Sequence, residues 1–333
     1  MKNELMNKPR FSVIMPLYNK VPYIQKALES VVSQTYRDFE IIIVDDGSTD
    51  CSLSVVQGYV RGLLDLDFRL HVLSQKNAGV AAARNRGVAE SSGEFLCFLD
   101  ADDWWEPEFL EEMDRLIAEY PDAGIYASNY IYYKPGKTHV ALDLLRGYVN
   151  YPKAYLHGEM PVWTGATCMP RKVFDEMGGF LEGIKLGEDF LLWAKTSLHY
   201  KVAFCENPLA YYNNDVPVHM RATRNLHAPQ SNMLFSLSPL ESEIQRNVGN
   251  DASGEDWKRL LDKLRVGGLL EYWLNEEYHN AAAAELKKVD WDRQSKKNLR
   301  MYKMPICVLK ANRKIMQIGS CCKQKLIRLL NFK

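Results

Sequence analysis

The acidic residues of this 333-residue chain fall into a few tight groups, and one of them could hold a metal ion. Asp-x-Asp occurs at Asp65/Asp67, Asp100/Asp102 and Asp290/Asp292. The pattern alone decides nothing. Position singles out Asp100-Ala101-Asp102-Asp103, which directly follows the apolar run Glu94 to Leu99. Three crowded carboxylates repel one another unless a hard cation sits between them. An all-oxygen donor set suits Mg²⁺ or Mn²⁺, with diphosphate oxygens completing the shell. The same residues could instead form a solvated turn that caps the next helix. Asp45-Asp46-Gly47-Ser48 ends a second apolar run, Glu40 to Val44. It reads as a turn, yet a carboxylate there can accept hydrogen bonds from a nucleobase N–H or from ribose hydroxyls. Gly187-Glu188-Asp189 precedes a third apolar run, Phe190 to Ala194. Acids favour a helix N-terminus, which is the plain reading of this pair on its own. His219 lies in a polar loop with Arg221 and Arg224, after Tyr211-Tyr212.

The elements that must position these groups follow from periodicity. Phe11 to Met15 is a short strand pattern ended by Pro16; Ile24, Leu28 and Val31/Val32 recur at helical spacing. Glu40 to Val44 is a buried strand, and a helix carrying Val55, Val56 and Tyr59 follows from about Ser52. Leu70 to Leu73, Val80 to Val88 and Glu94 to Leu99 continue as strand, helix and strand. This alternation predicts an α/β fold with a mostly parallel sheet, whose ligands sit at the C-terminal ends of the strands. Beyond Pro107 a helix near Glu108 to Glu119 and a strand near Gly124 to Ser128 lead into a loop-rich stretch, and long helical runs dominate from Trp257 to Lys288.

Phe11-Ser-Val-Ile-Met-Pro-Leu-Tyr-Asn19, the Asp45 turn, Asn77-Ala-Gly79 with Ala83-Arg84-Asn85, and Phe98-Leu-Asp100-Ala-Asp102-Asp103 occur in an order that resembles family 2 glycosyltransferases over about residues 10 to 215. The resemblance implies the GT-A fold, a nucleotide-diphosphate sugar donor (commonly UDP-linked), a divalent metal (Mn²⁺ or Mg²⁺) and inversion at the anomeric carbon. It implies that Pro16, Tyr18 and Asp45 hold the uridine and that Arg84 contacts the base or the diphosphate. Asp100 would meet the ribose or the metal, and Asp102 would be the principal metal ligand. Gly187-Glu188-Asp189 looks like the family's Glu-Asp motif, which makes Asp189 the base that deprotonates the acceptor hydroxyl. Trp163-Thr164-Gly165-Ala166 resembles the segment lining the acceptor side, so Trp163, Gly165 and Glu188 become candidate acceptor contacts. A core tryptophan is the competing reading of Trp163. Some relatives use a histidine near His219 as a further metal ligand, although here Asn213 follows Tyr212 and the histidine comes several residues late.

Composition bounds the alternatives. Lys+Arg and Asp+Glu are both 42, which gives no global attraction to nucleic acid. The seven cysteines have no CxxC pair, a pattern that favours a reducing compartment, and no GxGxxG or Gly-rich phosphate loop follows the first strand, which disfavours a dehydrogenase and a nucleotidyltransferase. A non-catalytic nucleotide-sugar-binding or scaffold subunit of the same fold is the alternative from another class. The expected organisation is a lead over 1–10, a catalytic domain over 11–215 (nucleotide-binding half 11–103, acceptor half 104–215), a helical region over 216–300 and a tail over 301–333. From Arg293 to the end every charged residue is Lys or Arg, and in the tail these interleave with apolar residues. Such a segment is too charged to span a bilayer but could dock on an anionic membrane surface. The expectation is a cytoplasmic protein, peripheral on the membrane's cytoplasmic face, that acts on a saccharide or lipid-linked saccharide acceptor in cell-surface polysaccharide or glycolipid synthesis.

Overall fold

Phe11–Leu17 (β1) and Phe39–Asp45 (β2) are buried at every position, and Phe95–Phe98 (β4) is too, so these strands must lie inside a sheet covered on both faces. The computed structural model describes residues 8–63, 68–217, 220, 226–248, 252–306 and 308–309. In it β1 pairs in parallel with both β2 and β4, and β2 pairs in parallel with Arg69–Ser74 (β3), a half-exposed edge strand. Helices Ile24–Val32 (α1), Ser52–Gly62 (α2) and Val80–Ala89 (α3) connect these strands. In α1 the buried side chains are Ile24, Ala27, Leu28 and Val31, the stripe that the sequence spacing predicts.

The second half of the sheet is less regular. Trp104–Trp105 (β5), helix Phe109–Glu119 (α4) and Ala123–Tyr133 (β6) are followed by His139–Val140 (β7) and Gly147–Val149 (β8). Helix Tyr151–His157 (α5), strand Thr167–Pro170 (β9), helices Arg171–Met177 (α6) and Glu188–His199 (α7), and strand Lys201–Asn213 (β10) complete it. The order is β3-β2-β1-β4-β9-β6-β10-β5. β6 and β10 are parallel to each other, but β9 runs antiparallel between β4 and β6, so the sheet is mixed at its centre. The C-terminal ends of β1, β2 and β4 share one edge, where Tyr18, Asp45 and Asp100 emerge.

Helices Ser238–Asn247 (α8), Ala252–Gly268 (α9), Leu270–Leu274 (α10), His279–Leu286 (α11) and Lys296–Lys303 (α12) make the C-terminal region helical. The chain divides into two compact units, Met1–Leu260 and Leu261–Lys333. Residues beyond 215 belong to the first unit because they pack on it. Trp257 stacks on Tyr151 of α5 with ring centroids 5.7 Å apart, and His199 of α7 lies 2.7 Å from Glu243 of α8. In the second unit, buried Arg265 donates to Glu285 at 3.2 Å, and the Tyr302 hydroxyl donates to the Val266 carbonyl at 2.8 Å. Among the described residues no helix is long and apolar enough to cross a membrane.

α3 carries Arg84, and its approach to the sheet depends on Gly87. A Cβ there would stand 2.5 Å from Ile14 Cγ2 of β1 and 3.4 Å from Val44 Cγ2 of β2. Gly87→Ala should therefore destabilise the protein by about 1–3 kcal/mol in denaturant titration, despite alanine's higher helix propensity.

Candidate active site

At the end of β2 the two adjacent aspartates do different work. Asp46 is consumed by the fold: one carboxylate oxygen accepts from Gln75 Nε2 and from the Ala78 amide, both at 2.8 Å, and the other accepts from the Gly79 amide at 2.8 Å. It ties the turn to the N-terminus of α3, where exposed amides and the helix dipole favour a negative charge. Asp45 is also buried, yet the described residues give its carboxylate just one hydrogen bond, from the Ser48 amide at 3.3 Å. Its acceptor capacity is therefore largely open to a ligand. Pro16 is buried within β1 opposite Val44, and Tyr18 just beyond is 45% exposed. Asn19 adopts a left-handed φ of 52°, and its Oδ1 accepts from the amides of Thr49 and Asp50 at 2.8 and 3.2 Å. The segment after β1 is thereby sewn to the segment after β2.

The carboxylates after β4 meet two cations. Arg84, 3% exposed, donates through Nη2 to Asp100 at 2.7 Å and through Nη1 to Glu188 at 2.8 Å. Lys20 Nζ donates to Asp102 Oδ2 at 2.5 Å. Asp103 turns inward and accepts from the Asn213 amide of β10 at 2.8 Å, which locks the acidic turn to the second half of the sheet. Burial raises the affinity of Asp102 for a proton, Lys20 opposes this, and Asp100 adds to it. Asp103 is raised well above the usual carboxylate range by burial and then by Asp102 and Asp100. Among the described residues no three His, Cys, Asp or Glu side chains group closely enough to hold a metal ion unaided. The set fits a hard divalent cation that keeps several oxygens from water or from a bound diphosphate, which is the habit of Mg²⁺ and Mn²⁺.

Glu188 and Asp189 open α7. Gly187 precedes them at φ 85°, and a Cβ there would stand 2.5 Å from Met233 Cγ and Sδ, so the entry to the helix requires glycine for both conformation and space. Asp189 accepts from Thr164 Oγ1 at 3.0 Å and from the Phe190 amide at 2.8 Å. Thr164 also accepts from Trp193 Nε1 at 3.2 Å, and Trp193 packs at the edge of Phe180, beneath Arg84. Glu188 is pushed up to about 7 by burial and by the charge of Asp189, against the pull of Arg84. Burial alone would lower Arg84, but Asp100, Glu188 and Asp189 outweigh it and raise it further.

Arg84 therefore brings together two predicted groups, Asp100 and Glu188-Asp189, and its guanidinium is directed at those carboxylates. Trp163 is 6% exposed: its indole packs on Tyr130 and Tyr212, and a Cβ on Gly165 would stand 2.4 Å from its ring. It is a packing residue here rather than an open platform. The Gly165 carbonyl accepts from Trp105 Nε1 at 2.6 Å. His219, Arg221 and Arg224 lie outside the described residues, as do Asp65 and Asp67. Asp290 is occupied locally by the Asp292 amide at 3.2 Å and by Arg293 at 2.8 Å. Sequence reasoning missed Lys20 and Thr164. Lys20 stands next to Asn19 in a motif already singled out, but nothing in a one-dimensional pattern directs its side chain to a residue 82 positions away.

Residues 12–178 match Glycosyl transferase family 2, half of the chain, and the chain belongs to that family. The chain is 38% identical over 152 residues to "Putative glycosyltransferase EpsH" of Bacillus subtilis, a match that covers 45% of this chain and 42% of EpsH. The chain spans less than half the length of EpsH and of two other similar curated glycosyltransferases. Its fold is similar to that of S. aureus TarS 1–349 in complex with UDP-GlcNAc, with a TM-score of 0.66 at 21% identity over 84% of this chain and 81% of that one. It is also similar to the mannosyltransferase PcManGT from Pyrobaculum calidifontis in complex with GDP-Man and Mn²⁺, with a TM-score of 0.52 at 21% identity over 94% and 81%. These matches establish a GT-A type fold.

Removing Arg84 would leave buried Glu188 and half-buried Asp100 without their cation. Arg84→Met should lower the unfolding free energy by about 3–5 kcal/mol, measured in urea. Glu188 sets a pH dependence whose sign is fixed. A carboxyl raised in the fold holds a proton that the unfolded chain has already released, so its stabilising contribution is complete below about 4.5 and is lost as pH rises to about 7. Glu188→Gln stays neutral throughout. The stability of the wild type relative to this variant should fall across that window and level off above it.

Proposed function

We propose that this chain is an inverting glycosyltransferase that moves a sugar from a nucleotide-diphosphate donor, of the UDP class, to a hydroxyl of a saccharide or lipid-linked saccharide. The observation that carries the reading is the double hydrogen bond of Arg84, which holds Asp100 of the donor edge and Glu188, the neighbour of Asp189, on one guanidinium. A carboxylate of the proposed donor edge and the neighbour of the proposed base are thereby held by one side chain, which supports reading them as parts of one site. Asp45, with its acceptor capacity open, would take the N–H of the nucleobase, and Pro16 and exposed Tyr18 would border the uridine. Asp102 would hold a Mn²⁺ or Mg²⁺ ion, with His219 as a further candidate ligand; such an ion would offset negative charge on the departing diphosphate. Asp189 is oriented through Thr164 and the Phe190 amide. It takes the proton of the acceptor hydroxyl; the oxygen's electron pair forms the new bond to the anomeric carbon while the bond to diphosphate breaks and its electrons leave with the nucleotide. Glu188 acts behind Asp189 as a positioning residue through its bond to Arg84, and Trp163 with Gly165 shapes the wall that carries Thr164.

Asp189→Asn removes the base and little bulk. It should abolish transfer while leaving metal-dependent UDP binding within about threefold of wild type. Transfer near the wild-type rate would refute the assignment. An acceptor anchored in a membrane would give the basic and apolar tail a purpose. Tyr302 belongs to the second folded unit, so the informative truncation removes only residues 310–333. The shortened protein should keep UDP binding and lose sedimentation with anionic liposomes at low salt. Equal sedimentation of both proteins would exclude the tail as the membrane contact.

A further inference from the structure

The ammonium of Lys20 occupies the place on Asp102 where a metal ion would act. Its Nζ lies 2.5 Å from Asp102 Oδ2, and the two side chains are 17% and 20% exposed. The root of the side chain is fixed: the Lys20 amide donates to Ser52 Oγ at 2.7 Å, and neighbouring Asn19 is clasped by Thr49 and Asp50. The ammonium also donates to the Met220 carbonyl at 3.3 Å. Arg84, the other cation close by, is engaged with Asp100 and Glu188, so the charge facing Asp102 in the described residues comes from Lys20.

We propose that Lys20 is a built-in counter-ion for Asp102, displaced when a divalent cation takes that carboxylate and then directed to the donor's diphosphate. The inference rests on the reading of Asp102 as the metal-binding carboxylate. A lysine suits the task because its compact charge rides on a flexible stem with a fixed root, so it can leave one oxygen for another nearby without moving the backbone. While no metal is bound, Lys20 lessens the repulsion that Asp100, Asp102 and Asp103 exert on an approaching diphosphate. Once a metal is bound, two cations face the donor's phosphates instead of one. Lys20 therefore competes with the metal before the donor arrives and cooperates with it afterwards.

Two measurements on the full chain test this. In the first, Mn²⁺ uptake is followed by electron paramagnetic resonance without nucleotide. Lys20→Met should bind Mn²⁺ about tenfold more tightly than wild type, the scale expected when one competing unit charge is removed. Equal or weaker uptake, or none by either protein, overturns the inference. In the second, UDP binding is measured by calorimetry in EDTA and in saturating Mn²⁺. Lys20→Met should lose about tenfold in EDTA and less than about threefold with Mn²⁺, and Lys20→Arg should restore the EDTA value. An unchanged affinity in EDTA also overturns it. Asp102→Asn separates the two readings: if that variant takes up Mn²⁺ as wild type does, the metal assignment fails, whereas the EDTA comparison still judges Lys20. Thermal unfolding confirms that each variant is folded.

Discussion

A single buried guanidinium determines the site. Arg84 comes from α3, between β3 and β4, and holds one carboxylate from the end of β4 and one from the start of α7, 104 positions further along the chain. Burying three charged groups together is costly, and the cost is offset only when each has its partner in place. The fold supplies those partners through residues that set where the helices carrying the charges begin and how closely they pack. Gly87 lets α3 approach β1 and β2, Asp46 anchors the N-terminus of α3, and Gly187 allows α7 to begin where Glu188 can reach Arg84.

The acid-rich edge therefore works as graded electrostatics rather than as a simple cluster. Asp46 accepts from amides, Asp103 from an amide of β10, while Asp100 is paired with Arg84 and Asp102 with Lys20. Among the described residues Asp45 keeps most of its acceptor capacity, and Asp189 accepts from two neutral donors, Thr164 and the Phe190 amide. These environments differ although the residue type is the same.

Much of this was legible in the chain. The first four strands and the helices between them announce themselves because central parallel strands must be apolar on both faces, and Ile24, Leu28 and Val31 mark the inner stripe of α1. The acidic turn after β4 was placed correctly because the strand before it was. Less visible was β9, four residues whose neighbours in the sheet are β4 and β6, since no local pattern encodes an antiparallel insertion. Equally hidden in sequence is the stacking of Trp257 on Tyr151, which joins segments about a hundred residues apart. Asp45 and Asp46 look alike in sequence and differ only through Gln75, Ala78 and Gly79. The motif around Arg84 singles out the residue, but its partners Asp100 and Glu188 lie 16 and 104 positions further along, beyond the reach of any local pattern.

The central claim is that Asp100 and Glu188 depend on one shared cation, and a double-mutant cycle between them tests it most directly. Asp100→Asn, Glu188→Gln and the double variant would be compared with wild type by urea denaturation at pH 8. Either single variant leaves Arg84 one carboxylate partner, whereas the double variant leaves it buried with neither. The account requires the double variant to lose more stability than the two single variants combined, by at least about 0.5 kcal/mol. Additivity within about 0.3 kcal/mol would contradict it, because the two residues would then not be sharing Arg84.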